Sequence, residues 1–231
     1  MNKKIMLLAL GAVSAVVLAL PAMASALIPL HINPMAQGTV VPVTTPAGAP
    51  KPFLSSLNTS NNSTSRITCD SVTGTATFNA GGTTGTLNLT FGPNCNANPP
   101  GVACRSTSPN ETAGNIATTG LPFHLVTLPG KAPGVLVTPS GDGSFAHIIC
   151  SILAFTVTGN GVIGRIENPE CGKSSTTADV VFEQSAEGIQ KHTTVEGTPD
   201  HWSLKKGTEH AAQNATARLT FPAPARELVC T

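Results

Sequence analysis

Hydrophobicity repeating every second residue is the feature that most narrows what this chain can fold into. Val72, Gly74, Ala76, Phe78 and Ala80 alternate with Thr73, Thr75, Thr77 and Asn79. Gly85, Leu87, Leu89 and Phe91 alternate with Thr86, Asn88 and Thr90, and Ala215, Ala217, Leu219 and Phe221 alternate with Thr216, Arg218 and Thr220. Successive side chains of an extended strand point to opposite faces, so this pattern sends one face into a core and a polar face into water. Threonine suits the outer face, because β-branching favours extended backbone while the hydroxyl stays hydrated.

Further strands are expected at Phe123–Leu128 and Gly134–Thr138, joined by a hairpin loop over Pro129–Pro133. The most apolar run, Ile148–Thr158, reads as one central strand, which Gly159-Asn160-Gly161 turns into Val162–Ile166. Asp179–Gln184, Gln190–Val195 and His201–Leu204 are additional candidates. Helical composition occurs only in Thr208–Ala217, and the alternation in its second half favours strand. The expected fold is all-β: an antiparallel sandwich or barrel of about eight to ten strands.

The N-terminus has a different grammar. Lys3 and Lys4 precede an apolar run from Ile5 to Leu20, followed by Pro21 and the small-residue stretch Ala22-Met23-Ala24-Ser25-Ala26. This is the pattern of a secretory signal peptide over residues 1–24, with cleavage expected after Ala24 and Ala26 as the alternative. The apolar run is about 16 residues, short of the roughly 20 that span a bilayer; an uncleaved anchor is the competing reading. No cysteine stands beside the cleavage site to take a lipid. No later apolar stretch is long enough to cross a membrane as a helix. Residues 25–64 hold Pro29, Pro34, Pro42, Pro46, Pro50 and Pro52 and then a Ser/Thr/Asn-rich stretch from Ser55 to Ser65. Proline at that density argues against helix and central strand, so this segment is expected to be a flexible lead-in, with Thr39–Thr45 at most an edge strand. Residues 65–231 are expected to form the β domain.

An exported chain gives its cysteines an oxidising surrounding. All six (Cys69, Cys95, Cys104, Cys150, Cys171 and Cys230) follow the leader, and an even count there reads as three disulfides. Six cysteines allow 15 pairings. Short-loop closure suggests Cys95 with Cys104 and Cys150 with Cys171, leaving Cys69 to join Cys230. Zinc ligation is the other use of cysteine, and the chain has neither C-x-x-C nor a Cys/His cluster of zinc spacing.

Charge excludes some partners. The chain carries +1 overall, and without Lys3 and Lys4 it carries −1, so nothing draws it to nucleic acid or an anionic membrane. Charged residues are 11% of the chain, against about 25% in ordinary proteins. Aromatic residues are 4%, with Trp202 alone of its kind and no tyrosine, a poor supply of platforms for sugar rings. Trp202 therefore reads as a packing residue.

Candidate chemistry is sparse. Ser144 follows Gly141-Asp142-Gly143, but a hydrolase elbow needs glycine two residues to either side of the serine and a following helix. Asp142 and Gly143 fit a tight turn better. His192, His201 and His210 are nine residues apart, an odd spacing that puts strand residues on opposite faces, so they read as surface histidines. His124 and His147, flanked by apolar residues, read as half-buried strand residues. Carboxylates between Glu167 and Glu209 are interleaved with lysines and read as a solvated face, with no pair singled out for acid–base work. Asn58, Asn61, Asn62, Asn88, Asn110 and Asn214 each begin an N-x-S/T triplet, a weak signal in a chain rich in Asn and Thr. No catalytic, cofactor-binding or metal-ligating residue is assigned.

Several segments carry a resemblance: Ile67-Thr68-Cys69, the run Phe78–Gly85, Cys104-Arg105-Ser106-Thr107, Phe123–Thr127, Gly134–Pro139, and Val157–Gly164 leading to Cys171-Gly172. Together, over residues 66–231, they resemble uncharacterised secreted Thr/Gly-rich, six-cysteine proteins of soil Gram-positive bacteria. More distantly the chain is similar to exported proteins named as activators of alkane oxidation. The resemblance implies an exported, disulfide-linked β domain and carries over no catalytic residue. Three functions are kept in view: a non-enzymatic structural or interaction domain outside the cytoplasm, a binder of apolar small molecules or hydrocarbon surfaces, and a secreted hydrolase.

Overall fold

The computed structural model of the protein describes residues 30–58, 63–98, 101–107 and 112–230; the leader at 1–24 lies outside them. The described chain begins with β1 (His31–Asn33), β2 (Thr39–Thr44), β3 (Phe53–Asn58), β4 (Ser63–Thr68) and β5 (Ser71–Phe78). Next come β6 (Thr84–Gly92), β7 (Asn96–Asn98), β8 (Val102–Ser106) and β9 (Ile116–Leu128). The middle holds β10 (Ala132–Val137), β11 (Ser144–Cys150), β12 (Leu153–Gly159), β13 (Val162–Asn168) and β14 (Ser174–Ser175). Last are β15 (Thr177–Phe182), β16 (Leu204–Lys206), β17 (Glu209–Thr220) and β18 (Arg226–Val229).

The antiparallel ladders close on themselves twice. β2, β5, β6, β9, β10, β13, β15 and β17 form a closed eight-stranded barrel, β17 pairing with both β15 and β2. A second ring runs β3, β4, β7, β8, β11, β12, β16 and again β17, which pairs back onto β3. The 12 residues of β17 make this possible. Its first half, through Asn214, pairs with β3 and β16, and its second half, from Ala215, pairs with β15 and β2. β1, β18 and β14 make a separate three-stranded sheet. Closure removes exposed sheet edges, which would otherwise recruit other strands.

The barrel is filled as the period-two pattern requires. Val72, Ala76 and Phe78 are buried on β5, and Phe78 meets Phe123 of β9 edge to face at 5.0 Å between ring centroids. Gly85 makes room for that pair, since a Cβ there would lie 2.6 Å from the Phe123 ring. One hydrophobic cluster runs through both rings. A smaller one, Val126, Leu128, Leu136, Ile163 and Val195, lies beneath the segment that ends at Trp202. Trp202 packs there against Gly161 and Leu136, as a packing residue does.

Four expectations need correction. The supposed lead-in is structured at 30–58: β2 is a full barrel strand and β3 belongs to the second ring. Pro42 is tolerated because β2 pairs over six residues with β5 but with β17 only at Val43 and Thr44, so the missing N–H interrupts no second ladder. Asn58 to Ser63 joins β3 to β4, and residues 59–62 lie outside the described part. Ile148–Thr158 is no single strand: it folds at Ser151, where φ is 57°, into the β11–β12 hairpin. The chain at Gly159–Gly161 then crosses from one ring to the other, because β12 pairs with β11 and β16 whereas β13 pairs with β10 and β15. Gln190–Val195 forms no strand beyond a single Gln184–Gln190 bridge.

The fourth correction concerns cysteine partners. Three disulfides are present, but they join Cys69 to Cys95, Cys104 to Cys150 and Cys171 to Cys230. Cys95 and Cys104 do face one another at the backbone, the Cys104 N–H donating to the Cys95 carbonyl at 2.7 Å. Each sulfur nevertheless turns to the strand beyond: Cys104 stands opposite Cys150 in the β8–β11 ladder, and Cys95 meets Cys69, the residue that follows β4. The hairpin that Cys150 and Cys171 would have stapled, Ile148–Thr158 with Val162–Ile166, does not form, and beyond β13 the Gly172 N–H reaches the Leu228 carbonyl.

Candidate functional site

The inward-facing apolar residues of the two rings leave a cavity of about 140 Å³ between them. Leu87, Phe91 and Ile116 line it from the barrel, and Ile148, Val157 and Leu204 from the second ring. Among the described residues of the lining, Thr118 and Gln213 alone have polar side chains, and both are engaged with backbone: Thr118 Oγ1 donates to the Leu89 carbonyl at 3.5 Å and Gln213 Nε2 to the Asn214 carbonyl at 3.4 Å. Such a space holds water poorly, because a buried water needs two to four polar partners; an apolar cavity of about 150 Å³ stays dry and admits a benzene-sized guest. Apolar lining with a few placed polar groups is also the usual make-up of a small-molecule site.

The register of the second ring sets a polar layer against this cavity. Leu204 lines it, and Lys206 stands two residues further along the same face of β16, opposite the cavity-lining Val157. Ser56 is likewise two residues beyond Leu54 on β3, and Ser65 two before Ile67 on β4. Lys206 Nζ donates to Ser65 Oγ at 2.6 Å, and Ser56 Oγ lies 2.8 Å from both Ser65 Oγ and Glu209 Oε2. Lys206 Nζ is 3.4 Å from Glu209 Oε2 and 5.2 Å from the centroid of the Phe155 ring. Sequence reading placed Glu209 on a solvated face and Ser56 and Ser65 in a linker. The alternation Leu54/Ser56 and Ser65/Ile67 is the signal that would have found them.

A second polar group lies on the outside. Ser144, Asp142 and His147 come together, which their spacing in a regular strand forbids; the register shift between Ser144 and Ala146 brings them to one side. The Gly143 N–H closes the expected turn onto the Ser140 carbonyl at 2.9 Å. His147 is exposed rather than half-buried. Its Nε2 meets Ser144 Oγ at 3.0 Å and Asp142 Oδ2 at 2.9 Å, while Nδ1 faces Thr156 Oγ1 at 3.1 Å. A nucleophilic serine needs the imidazole between itself and the carboxylate, one on each nitrogen. Ser144 shares its nitrogen with Asp142 and contacts Asp142 Oδ1 at 2.8 Å, so the group ties down a turn instead of activating a serine. None of Asp142, Ser144, His147 and Thr156 lines a described cavity.

The other histidines stay apart. His192 Nε2 lies 3.7 Å from Glu183 Oε2, and burial pushes its imidazole below the ordinary value. His210 is exposed on β17 opposite Leu57 and Lys205. Burial likewise pushes His124 down. Among the described residues no group of three or more His, Cys, Asp or Glu gathers as a metal would require, and no helix is long and apolar enough to cross a membrane. Comparison with protein-family models, curated proteins and solved structures found no match for the chain.

Proposed function

We propose that the protein is an exported, non-enzymatic binding domain whose shared barrel interior takes a small apolar molecule. The observation that carries this reading is the cavity of about 140 Å³ with a lining of almost wholly apolar side chains. Export rests on the leader pattern at residues 1–24, and three disulfides accord with an oxidising compartment. Titration of the purified chain with toluene, followed by calorimetry and thermal denaturation, tests the binding. A saturable heat and a rising midpoint are expected, since a ligand that binds only the folded state stabilises it. No heat and no shift at saturating toluene would overturn the reading.

A second reading, contact with a hydrocarbon surface, is favoured by one observation. Ile152 and Leu153 at the tip of the β11–β12 hairpin are 89% and 71% exposed. Removing two such side chains from water is worth about 3–6 kcal/mol together, enough for reversible adsorption. Shaking with hexadecane should deplete the protein from the aqueous phase, and Ile152→Ser with Leu153→Ser should abolish that depletion. Equal depletion of both proteins would exclude the tip.

A further inference from the structure

We infer that the guest of this interior is a neutral amphiphile: a compact apolar body bearing one uncharged hydrogen-bonding head, an alcohol or a ketone. The inference rests on the reading of the cavity as an apolar site and extends it to the polar layer at its border.

The layer adjoins the residues that line the cavity. Ser56, Ser65 and Lys206 each stand two residues from a cavity-lining residue on the same face of the same strand. Two strand residues span about 6.8 Å, so the layer stands one residue pair beyond the cavity wall on each of these strands. Glu209 sits on the inward face of β17, in register with Lys206. The layer is partly shielded from water: Ser56 is 1% exposed, and the side chains of Lys206 and Glu209 are 23% and 26% exposed.

The charges of the layer decide the head. Lys206 and Glu209 contribute one cation and one anion that already face each other at 3.4 Å. A ligand carboxylate seated here would meet the Glu209 carboxylate with the lysine engaged, and like charges brought close at a partly shielded site repel. An ammonium head would meet Lys206 in the same way. The two serine hydroxyls remain versatile, because each is both donor and acceptor and can rotate to suit. A hydroxyl or carbonyl head can join the Ser56–Ser65 chain without displacing a charge. A bare hydrocarbon fills the cavity but leaves this layer untouched.

Three ligands of one shape test this in the wild-type protein: toluene, benzyl alcohol and benzoate, titrated by calorimetry and by amide NMR. Benzyl alcohol is expected to shift the amides of Ser56, Ser65 and Lys206, whereas toluene shifts only those of the apolar lining. Benzoate is expected to bind at least about tenfold more weakly than benzyl alcohol. Ser65→Ala should weaken benzyl alcohol about fivefold, the scale of one hydrogen bond, and leave toluene unchanged. Benzoate binding as tightly as benzyl alcohol, or benzyl alcohol leaving those three amides unmoved, overturns the inference while toluene binding preserves the cavity reading. If toluene itself does not bind, both fall.

Discussion

The Asp142 carboxylate accepts hydrogen bonds from His147, Ser140 and the Ser144 side chain and backbone, which together hold it well below the usual carboxylate range. Its unfolded counterpart titrates near pH ~3.9. The stabilisation from these bonds is therefore complete above that value and lost as pH falls through the lower folded one. Thermal midpoints of wild type and Asp142→Asn, measured between about pH 2 and 5, should diverge: the wild type loses stability on acidification more steeply. Parallel profiles would mean that the carboxylate does not anchor the turn. The turn itself is legible in Gly141-Asp142-Gly143. Its tie to His147 is not, because a bulge between Ser144 and Ala146 leaves no mark in residue spacing.

Among the elements, β17 shows what local pattern can and cannot convey. Its second half alternates cleanly, and Ala215 and Ala217 are buried as that pattern requires. Nothing in the alternation reveals that its first half belongs to a different ring, since both faces of any strand repeat every two residues whichever neighbours it takes. The β11–β12 turn was hidden for a related reason: Ser151-Ile152 holds no Gly, Pro or Asn, and the apolar run passes through it unbroken. The Cys104–Cys150 disulfide ties β11 to β8 beside the turn of this hairpin and closes 46 residues of chain. Chain entropy alone puts its contribution at up to about 4 kcal/mol. Cys104→Ala with Cys150→Ala should lower the denaturant-derived stability by about 2–4 kcal/mol. An unchanged midpoint and slope would show that strand pairing alone fixes this edge.

For the molecule as a whole, the sequence carries the all-β class, the antiparallel barrel and the existence of three disulfides, because alternation and cysteine parity are local properties. The second ring, the disulfide partners and the interior space are long-range consequences. Leu54, Ile67, Ile148, Val157 and Leu204 meet only because β3 returns to β17. The same closure that removes sheet edges also leaves a space of about 140 Å³ among the apolar side chains of the two rings. The central claim is that this centre is dry, apolar and able to accept a guest. Xenon-pressurised crystals test it most directly, since xenon enters apolar cavities and not hydrated polar ones. The structure predicts a xenon peak among Leu87, Phe91, Ile148 and Leu204; a filled interior without xenon, or ordered water in its place, would contradict it.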